Sequence, residues 1–297
     1  MAGEFLSICI PTRNRSSWLG RALAQLAAEI EANNIGSEVL RIYISDNCST
    51  DDTARKVKDF QARLPHLSYS RQMTNLGGDP NILHCGRTGT GEYRWIMGDD
   101  DTICPGGLGY ILECLRKNRL ALFINSDGRY ACGFTTPVLF GSYREFAQTS
   151  LRTNPHMLLA HSLITANIFR ADCFDYAFAM SLVKTSYGHM YGMVGTMKND
   201  AGGVFVTERQ TITVRDSSLD AVDGVWPADM YRIWGDYLVW VKEQFDLEEL
   251  QRERIPNYIR RALILEFKAR PFSGAWRYAK KLNRAQTWRS FWKLLKQ

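Results

Sequence analysis

The sequence has no Cys-x-x-Cys pair. Its seven cysteines (9, 48, 85, 104, 114, 132 and 173) are odd in number and scattered. That pattern argues against a zinc ribbon and a disulfide framework, and fits reduced thiols, several in apolar surroundings. No apolar run reaches the length of a membrane span. The nearest approach, Leu158 to Phe169, is broken by His161, Ser162 and Thr165. The opening Met1 to Ser7 has neither a basic n-region nor an apolar core, so no secretory leader is expected. No Gly-x-Gly-x-x-Gly follows the first expected strand, which argues against a dinucleotide-dependent dehydrogenase. Internal repeats and low-complexity tracts are also missing. What is there, 45% hydrophobic and 23% charged residues over 297 positions, is ordinary for a globular chain with ample length for a core.

The charge is unevenly placed. Gln251 to Gln297 holds 13 Lys/Arg against two Glu, so within a total of +6 the first 250 residues carry −5. A basic tail on a mildly acidic body points to a phosphate-bearing partner surface. Trp276 to Gln297 has seven basic residues and no acid. In it Trp276, Ala279, Leu282, Ala285, Trp288, Phe291, Trp292 and Leu295 recur at helical spacing. That is the pattern of a basic amphipathic helix lying in a membrane interface. A helix packed on the body or at a homodimer interface is the other reading, since aromatic stripes are commonly core. No recognition motif accompanies the charge, so nucleic acid is not an expected partner.

The most informative stretch is Gly91-Glu-Tyr-Arg-Trp-Ile-Met-Gly-Asp-Asp-Asp101. Tyr93 to Met97 reads as a short buried strand. It runs straight into Asp99, Asp100 and Asp101, whose mutual repulsion calls for a positive partner. Hard oxygen ligands of this kind suit Mg²⁺ or Mn²⁺, ions that usually also hold a substrate phosphate. The plainer reading is a solvated acidic turn before Pro105-Gly106-Gly107.

Around this stretch the chain alternates. Strands are expected at Leu6–Ile10, Val39–Ser45, Leu67–Arg71 and Ala121–Asn125, with helices at Trp18–Ala32, Thr53–Leu64 and Leu108–Asn118, and a loop at Asn75–Pro80 leads into a further helix that ends near Gly89-Thr-Gly91. The pattern implies an α/β chain with a parallel, doubly wound, Rossmann-like sheet. The polar loops then share the rim at the strands' carboxyl ends. Further on, Ser142–Thr149 and Ala171–Ala179 read as helical and Ser162–Arg170 as a strand. Ser186-Tyr-Gly-His-Met-Tyr191 opens a helix, and Gly202–Val214 is two short strands or one bent one. Trp226–Phe245 and Leu247–Phe267 are expected as long helices.

Four of these stretches, in order, carry a family resemblance. Ser7-Ile-Cys-Ile-Pro-Thr-Arg-Asn14, Ile44-Ser-Asp-Asn-Cys-Ser-Thr-Asp51, Asn75-Leu-Gly-Gly78 and Gly98-Asp-Asp-Asp101 resemble the nucleotide-sugar half of GT-A glycosyltransferases of the family-two type. The wording is nearest the branch that includes bacterial abequosyltransferases and similar O-antigen or capsule enzymes. The likeness is close over residues 5 to 125 and loose over 160 to 215.

The resemblance implies a GT-A domain over 1–225, with a nucleotide-sugar half at 1–125 and an acceptor half at 126–225. A helical, basic region at 226–297 is then an appendage. The resemblance also implies roles. Pro11 and Thr12 end the first strand beside base and ribose. Asp46 accepts hydrogen bonds from the base, or else caps the next helix. Arg13 meets a phosphate, or is a surface arginine. Asn75, Gly77 and Gly78 approach the nucleotide closely, or form a plain tight turn. Asp99 and Asp101 match the outer acids of a D-x-D metal motif, with Asp100 on the metal or ribose. The family pattern is often Asp-x-Asp-Asp one residue earlier, and Gly98 stands where that first acid belongs. Which two aspartates hold Mn²⁺ or Mg²⁺ is therefore open.

The Glu-Asp pair that supplies the base in inverting relatives is absent near Ser186-Tyr-Gly-His189. His189 stands near that place as a general base, a further metal ligand, or a structural histidine. His161 and Asp200 are weaker candidates, and inverting and retaining chemistry both remain open. His189 and Asp101 are the catalytic candidates. The implied reaction moves a sugar from a nucleotide donor to a bacterial surface glycan, expected to be undecaprenyl-diphosphate-linked. The implied location is cytoplasmic and peripheral on the inner membrane face. A glycan-binding module without catalysis is the non-enzyme alternative. A sugar nucleotidyltransferase is the enzyme alternative, but its Gly-rich loop is replaced here by Pro-Thr-Arg-Asn-Arg-Ser.

Overall fold

The structure is a computed structural model, and it describes residues 4–126, 136–153, 156–183, 188–197 and 202–214, with 237, 240, 241, 243 and 244. Contacts divide the chain into two units, Met1–Arg215 and Asp216–Gln297. The expected helices at 226–245 and 247–267 and the basic stripe at 276–297 lie almost wholly outside the described residues. No described helix is long and apolar enough to cross a membrane.

The first unit opens as the alternation dictates. Strand β1 (Leu6–Thr12) leads to helix α1 (Ser16–Ala32), β2 (Leu40–Asp46), α2 (Thr53–Gln61), β3 (Leu67–Arg71), α3 (Gly78–Thr88) and β4 (Tyr93–Ile96). After the acid turn come β5 (Thr102–Ile103), α4 (Gly107–Lys117), β6 (Leu120–Ser126) and β7 (Val138–Phe140). The unit continues with α5 (Tyr143–Thr153), α6 (His156–Leu159), β8 (Asn167–Arg170), α7 (Tyr176–Ser181), α8 (Gly188–Met197), β9 (Gly203–Gln210) and β10 (Ile212–Thr213).

Eight strands form one sheet in the order β3-β2-β1-β4-β8-β6-β9-β7. The pairs β1–β2, β2–β3, β1–β4 and β6–β9 are parallel. The all-parallel expectation needs correction at two strands. β8 runs antiparallel to both β4 and β6, and β7 runs antiparallel to β9. The expected strand over 162–170 is also shorter. Residues 160–166 form two turns of 3₁₀ helix, and only Asn167–Arg170 is strand.

Burial explains the sequence pattern. Leu6 to Ile10 are fully buried, so β1 reads as an apolar run and not an alternation. Leu6, Ile8 and Ile10 point into a cluster with Leu19, Leu23 and Leu26 of α1 and Leu108, Ile111 and Leu115 of α4. On the other face α3 lies close. A Cβ on Gly89 would stand 2.7 Å from Ser7 Cβ. The six described cysteines are free.

Two polar residues of α1 fix the segment after the acid turn. Gln25 donates to the Ile103 carbonyl and accepts the Ile103 amide at 3.0 Å. The buried Glu29 carboxylate accepts the amides of Gly106 (2.9 Å) and Leu108 (3.2 Å), which satisfies the start of α4. β10 pairs with β5 on the same segment.

Candidate active site

Three loops leave the carboxyl ends of β1, β2 and β3, and side chains stitch them together. Asn14 sits at φ 52°, and its amide donates to Ser49 Oγ at 2.9 Å while its Oδ1 accepts the Thr50 amide at 2.7 Å. The Ser16 amide donates to Asp51 at 3.0 Å. Asn47 Nδ2 donates to Asn75 Oδ1 (2.8 Å) and to the Gly77 carbonyl (3.0 Å), and its Oδ1 accepts the Leu76 amide (2.7 Å). Gly77 takes φ +91°, a conformation that side chains disfavour. The loop at 75–78 is thus anchored from β2's end and not by its own turn alone.

Asp46 is fully buried. One oxygen accepts the Ser49 amide at 2.8 Å, and the other accepts the Tyr69 hydroxyl at 2.6 Å with Arg71 Nε at 3.8 Å. Burial, helped by Asp46, pushes the Tyr69 hydroxyl well up, so it stays a donor. The helix-cap alternative for Asp46 is corrected: the Thr53 amide that opens α2 goes to Asp51 instead, at 3.1 Å.

The acids form a turn. The Asp101 amide donates to the Gly98 carbonyl at 3.3 Å. Asp99 and Asp101 are buried and Asp100 is half-buried. Asp99 accepts the Thr12 hydroxyl at 2.6 Å on one oxygen and Arg15 at 2.9 Å on the other. The second arm of the Arg15 fork reaches Asp100 at 2.5 Å. Asp101 accepts the Thr165 hydroxyl, whose oxygen in turn accepts the Gly98 amide at 2.8 Å. Burial pushes the Asp99 carboxyl up to about 6; Arg15 and Thr12 pull it down, and Asp100 and Asp101 push it further up.

This geometry explains Gly98. A Cβ there would lie 2.7 Å from Asp101 Oδ2 and 3.3 Å from Asp100 Oδ1. The turn folds its third acid back over residue 98, the position where the sequence resemblance leads one to expect a first acid.

His189 opens α8 and is buried. Its Nε2 lies 3.4 Å from the Ser162 carbonyl. Burial lowers its pKa, and the Asp79 charge works against that shift. Asp79 accepts the Gly188 amide at 3.2 Å, so a carboxylate from the first turn of α3 reaches the histidine's helix. His161 is walled in: Tyr143 Oη is 2.8 Å from Nε2 and Asn167 Oδ1 is 2.6 Å from Nδ1. Burial lowers its pKa to about 4.

The structure therefore brings Thr12, Asp99, Asp100 and Asp101 together, with Asp46 at the end of β2, Asn75 and Gly77 on the loop after β3, and Gly78 at the start of α3. Pro11 is half-buried at the end of β1 and Arg13 is exposed. Among the described residues no three His, Cys, Asp or Glu gather into a metal-holding group, so Asp99, Asp101 and His189 are not assembled as one. Asp200 lies outside the described residues. Sequence reading missed Arg15, Asn47, Asp79 and Thr165. The need for a counter-charge beside three acids was a signal for Arg15. Thr165 had none, because its role depends on the 3₁₀ turn that brings it under Gly98.

The family profile described as glycosyl transferase family 2 matches residues 7–167. Abequosyltransferase RfbV of Salmonella typhimurium is 26% identical over 210 residues, covering 64% of this chain and 60% of that protein. GalNAc(5)-diNAcBac-PP-undecaprenol beta-1,3-glucosyltransferase of Campylobacter jejuni is 26% identical over 121 residues, 40% of this chain and 37% of the relative. The chain thus spans at most about three-fifths of the length of these curated relatives. S. aureus TarS 1-349, solved with UDP, superposes with a TM-score of 0.60 at 16% identity, over 94% of this chain and 76% of that one. Mannosyltransferase PcManGT of Pyrobaculum calidifontis, solved with GDP-Man and Mn²⁺, gives a TM-score of 0.51 at 12% identity, over 94% and 73%. At such identities these two show a shared fold.

Proposed function

The chain belongs to glycosyl transferase family 2, and on that premise we propose that it transfers a sugar from a nucleotide donor to a bacterial surface glycan carried on a lipid diphosphate. The observation that carries the reading is the buried acid turn at the end of β4, joined through Thr12 and Arg15 to the loop after β1. The two curated relatives support the glycan class, since one is named an abequosyltransferase and the other acts on an undecaprenol-linked glycan. The glycan-binding alternative has less support, because a binding module has no need to bury two acids with a third beside them.

Asp99 and Asp101 fit a hard divalent cation. They are buried oxygen donors; burial raises Asp99 to about 6, with a smaller push from Asp100 and Asp101, and a cation beside them would favour the charged form. A Mn²⁺ or Mg²⁺ ion held there would offset the charge of the departing nucleoside diphosphate. Thr12 and Thr165 orient the two carboxylates. Asp46, buried against Ser49, Tyr69 and Arg71, braces the loop at the nucleobase end from beneath. Asn47 holds the 75–78 loop against the nucleotide, with Pro11 and Arg13 at its edge. His189, neutral by burial and beside Asp79, is the proton acceptor for the attacking hydroxyl. The basic stripe at 276–297 is the proposed contact with the inner face of the membrane.

The test is a panel of UDP, CDP, GDP and dTDP in thermal shift, with and without Mn²⁺. One nucleotide that stabilises the protein markedly more with metal than without supports the reading and names the donor class. Asp101→Asn then loses turnover; retained glycan binding without any turnover in the wild type favours the binding module.

A further inference from the structure

We propose that Arg15 is a resident counter-cation that gives up Asp99 when a divalent ion arrives and passes to the donor's diphosphate, so that metal and nucleotide bind synergistically. The inference rests on the metal-diphosphate reading of this site.

The geometry sets up a competition. Asp99 has one oxygen committed to Thr12 at 2.6 Å, and its other oxygen faces Arg15 at 2.9 Å. The Asp99 side chain is only 4% exposed, so charges placed there are poorly screened. A divalent ion and a guanidinium cannot both sit against that second oxygen without strong repulsion. Arg15 is the partner with room to move. Its side chain is 37% exposed against 4% for Asp99, so it has a path outward along the rim.

The fork has a second suitable partner there. A guanidinium that spans two carboxylates, Asp99 and Asp100, presents the same paired donors to two phosphate oxygens. Arg15 also immediately precedes Ser16, the first residue of α1, at the end of the loop that leaves β1. The exchange keeps the turn compensated in both states: by Arg15 when no metal is bound, and by the metal when Arg15 has left. Linkage makes the effect reciprocal, so nucleotide tightens metal as much as metal tightens nucleotide.

The experiment measures Mn²⁺ affinity by EPR of the free ion. It is done without nucleotide and with the nucleoside diphosphate that gives the largest thermal shift. In the wild type the nucleotide tightens Mn²⁺ by roughly tenfold or more. In Arg15→Met, Mn²⁺ alone binds tighter than in the wild type, and the tightening by nucleotide falls toward none. Arg15→Lys keeps the charge and retains part of the coupling. The metal-free melting temperature of Arg15→Met drops, and Mn²⁺ restores it by more than it raises the wild type. A merely structural arginine would instead weaken both ligands together. Weaker Mn²⁺ binding alone in Arg15→Met, or unchanged coupling, overturns the exchange while leaving the metal site standing. Absence of Mn²⁺ binding in the wild type, with nucleotide bound normally, overturns the metal reading itself and the exchange with it.

Discussion

Thr165 and Asp101 are joined by a buried hydrogen bond in which the threonine hydroxyl donates to the carboxylate and accepts the Gly98 amide. One hydroxyl thus fixes both ends of the acid turn. Its own backbone is pinned, since the Thr165 carbonyl accepts Trp95 Nε1 at 2.8 Å and Asn125 Nδ2 at 3.3 Å. Asn125 in turn accepts the Thr211 hydroxyl at 2.8 Å. The chain after β9 therefore supports the turn after β4 through an unbroken polar network.

Thr165→Val keeps the shape and removes the hydroxyl. Outer contacts of this kind are worth roughly 10- to 100-fold in metal affinity. Mn²⁺-dependent nucleotide binding should weaken by about tenfold, and Thr165→Ser should restore most of it. The Gly98 amide also loses its acceptor, at a cost of about 1–3 kcal/mol in denaturant unfolding. Equal binding by the Val and Ser variants would show that the hydroxyl does not hold Asp101 for the metal.

Gly98→Ala tests the turn from the other side. The added methyl would stand 2.7 Å from Asp101 Oδ2, and that oxygen is already committed to Thr165. The carboxylate must then move. The expected outcome is loss of metal-dependent stabilisation, with about 1–3 kcal/mol of destabilisation from overpacking. A variant that melts like the wild type and keeps its Mn²⁺ response would show that the turn has room for the family's usual acid.

Asn47→Ala addresses the nucleotide side alone. Three hydrogen bonds to residues 75–77 disappear, and no aspartate of the acid turn is touched. Nucleotide affinity should fall by about tenfold both with and without Mn²⁺, the effect of losing about 1.4 kcal/mol of loop ordering. Calorimetry under the two conditions separates this from Thr165→Val, whose loss is confined to the metal-bound state.

Much of this site is legible in the amino-acid sequence alone. β1 is buried along nearly its whole length, and β2 and β4 keep an apolar buried side with Arg41 exposed and Arg94 half-buried, so all three read as strands that end in polar loops. Placing Thr12, Asp46 and Asp99 on one rim needs only that pattern. The residues from 160 to 170 are not legible in the same way. Ile164-Thr-Ala-Asn-Ile-Phe-Arg170 is rich in β-branched and apolar types, which favours one continuous strand. Tertiary bonds from Trp95 and Asn125 to the Thr165 carbonyl accompany a tight turn there instead. Asp79 is hidden for a related reason: its contact with Gly188 spans 109 positions and has no local signature.

His161 gives a pH prediction with a definite sign. Asn167 Nδ2 donates to the Leu163 carbonyl at 2.8 Å, so its oxygen faces His161 Nδ1, which must carry the proton. Nε2 is then left to accept the Tyr143 hydroxyl. The ring is held neutral, with its pKa lowered from 6.5 to about 4. Below pH 6.5 the unfolded chain takes up a proton that the folded chain refuses. Stability therefore falls as pH drops from about 6.5 to about 4, by about 3 kcal/mol at most. Asp99, raised to about 6, acts with the opposite sign between that value and 3.8, so the comparison must be made between proteins at each pH. Urea unfolding of wild type and His161→Gln at pH 7.5 and pH 4.5 supplies it. The wild type should lose more stability than the glutamine variant on acidification. Parallel losses would mean that the imidazole takes its proton in the folded state and is not held as this hydrogen-bond network requires.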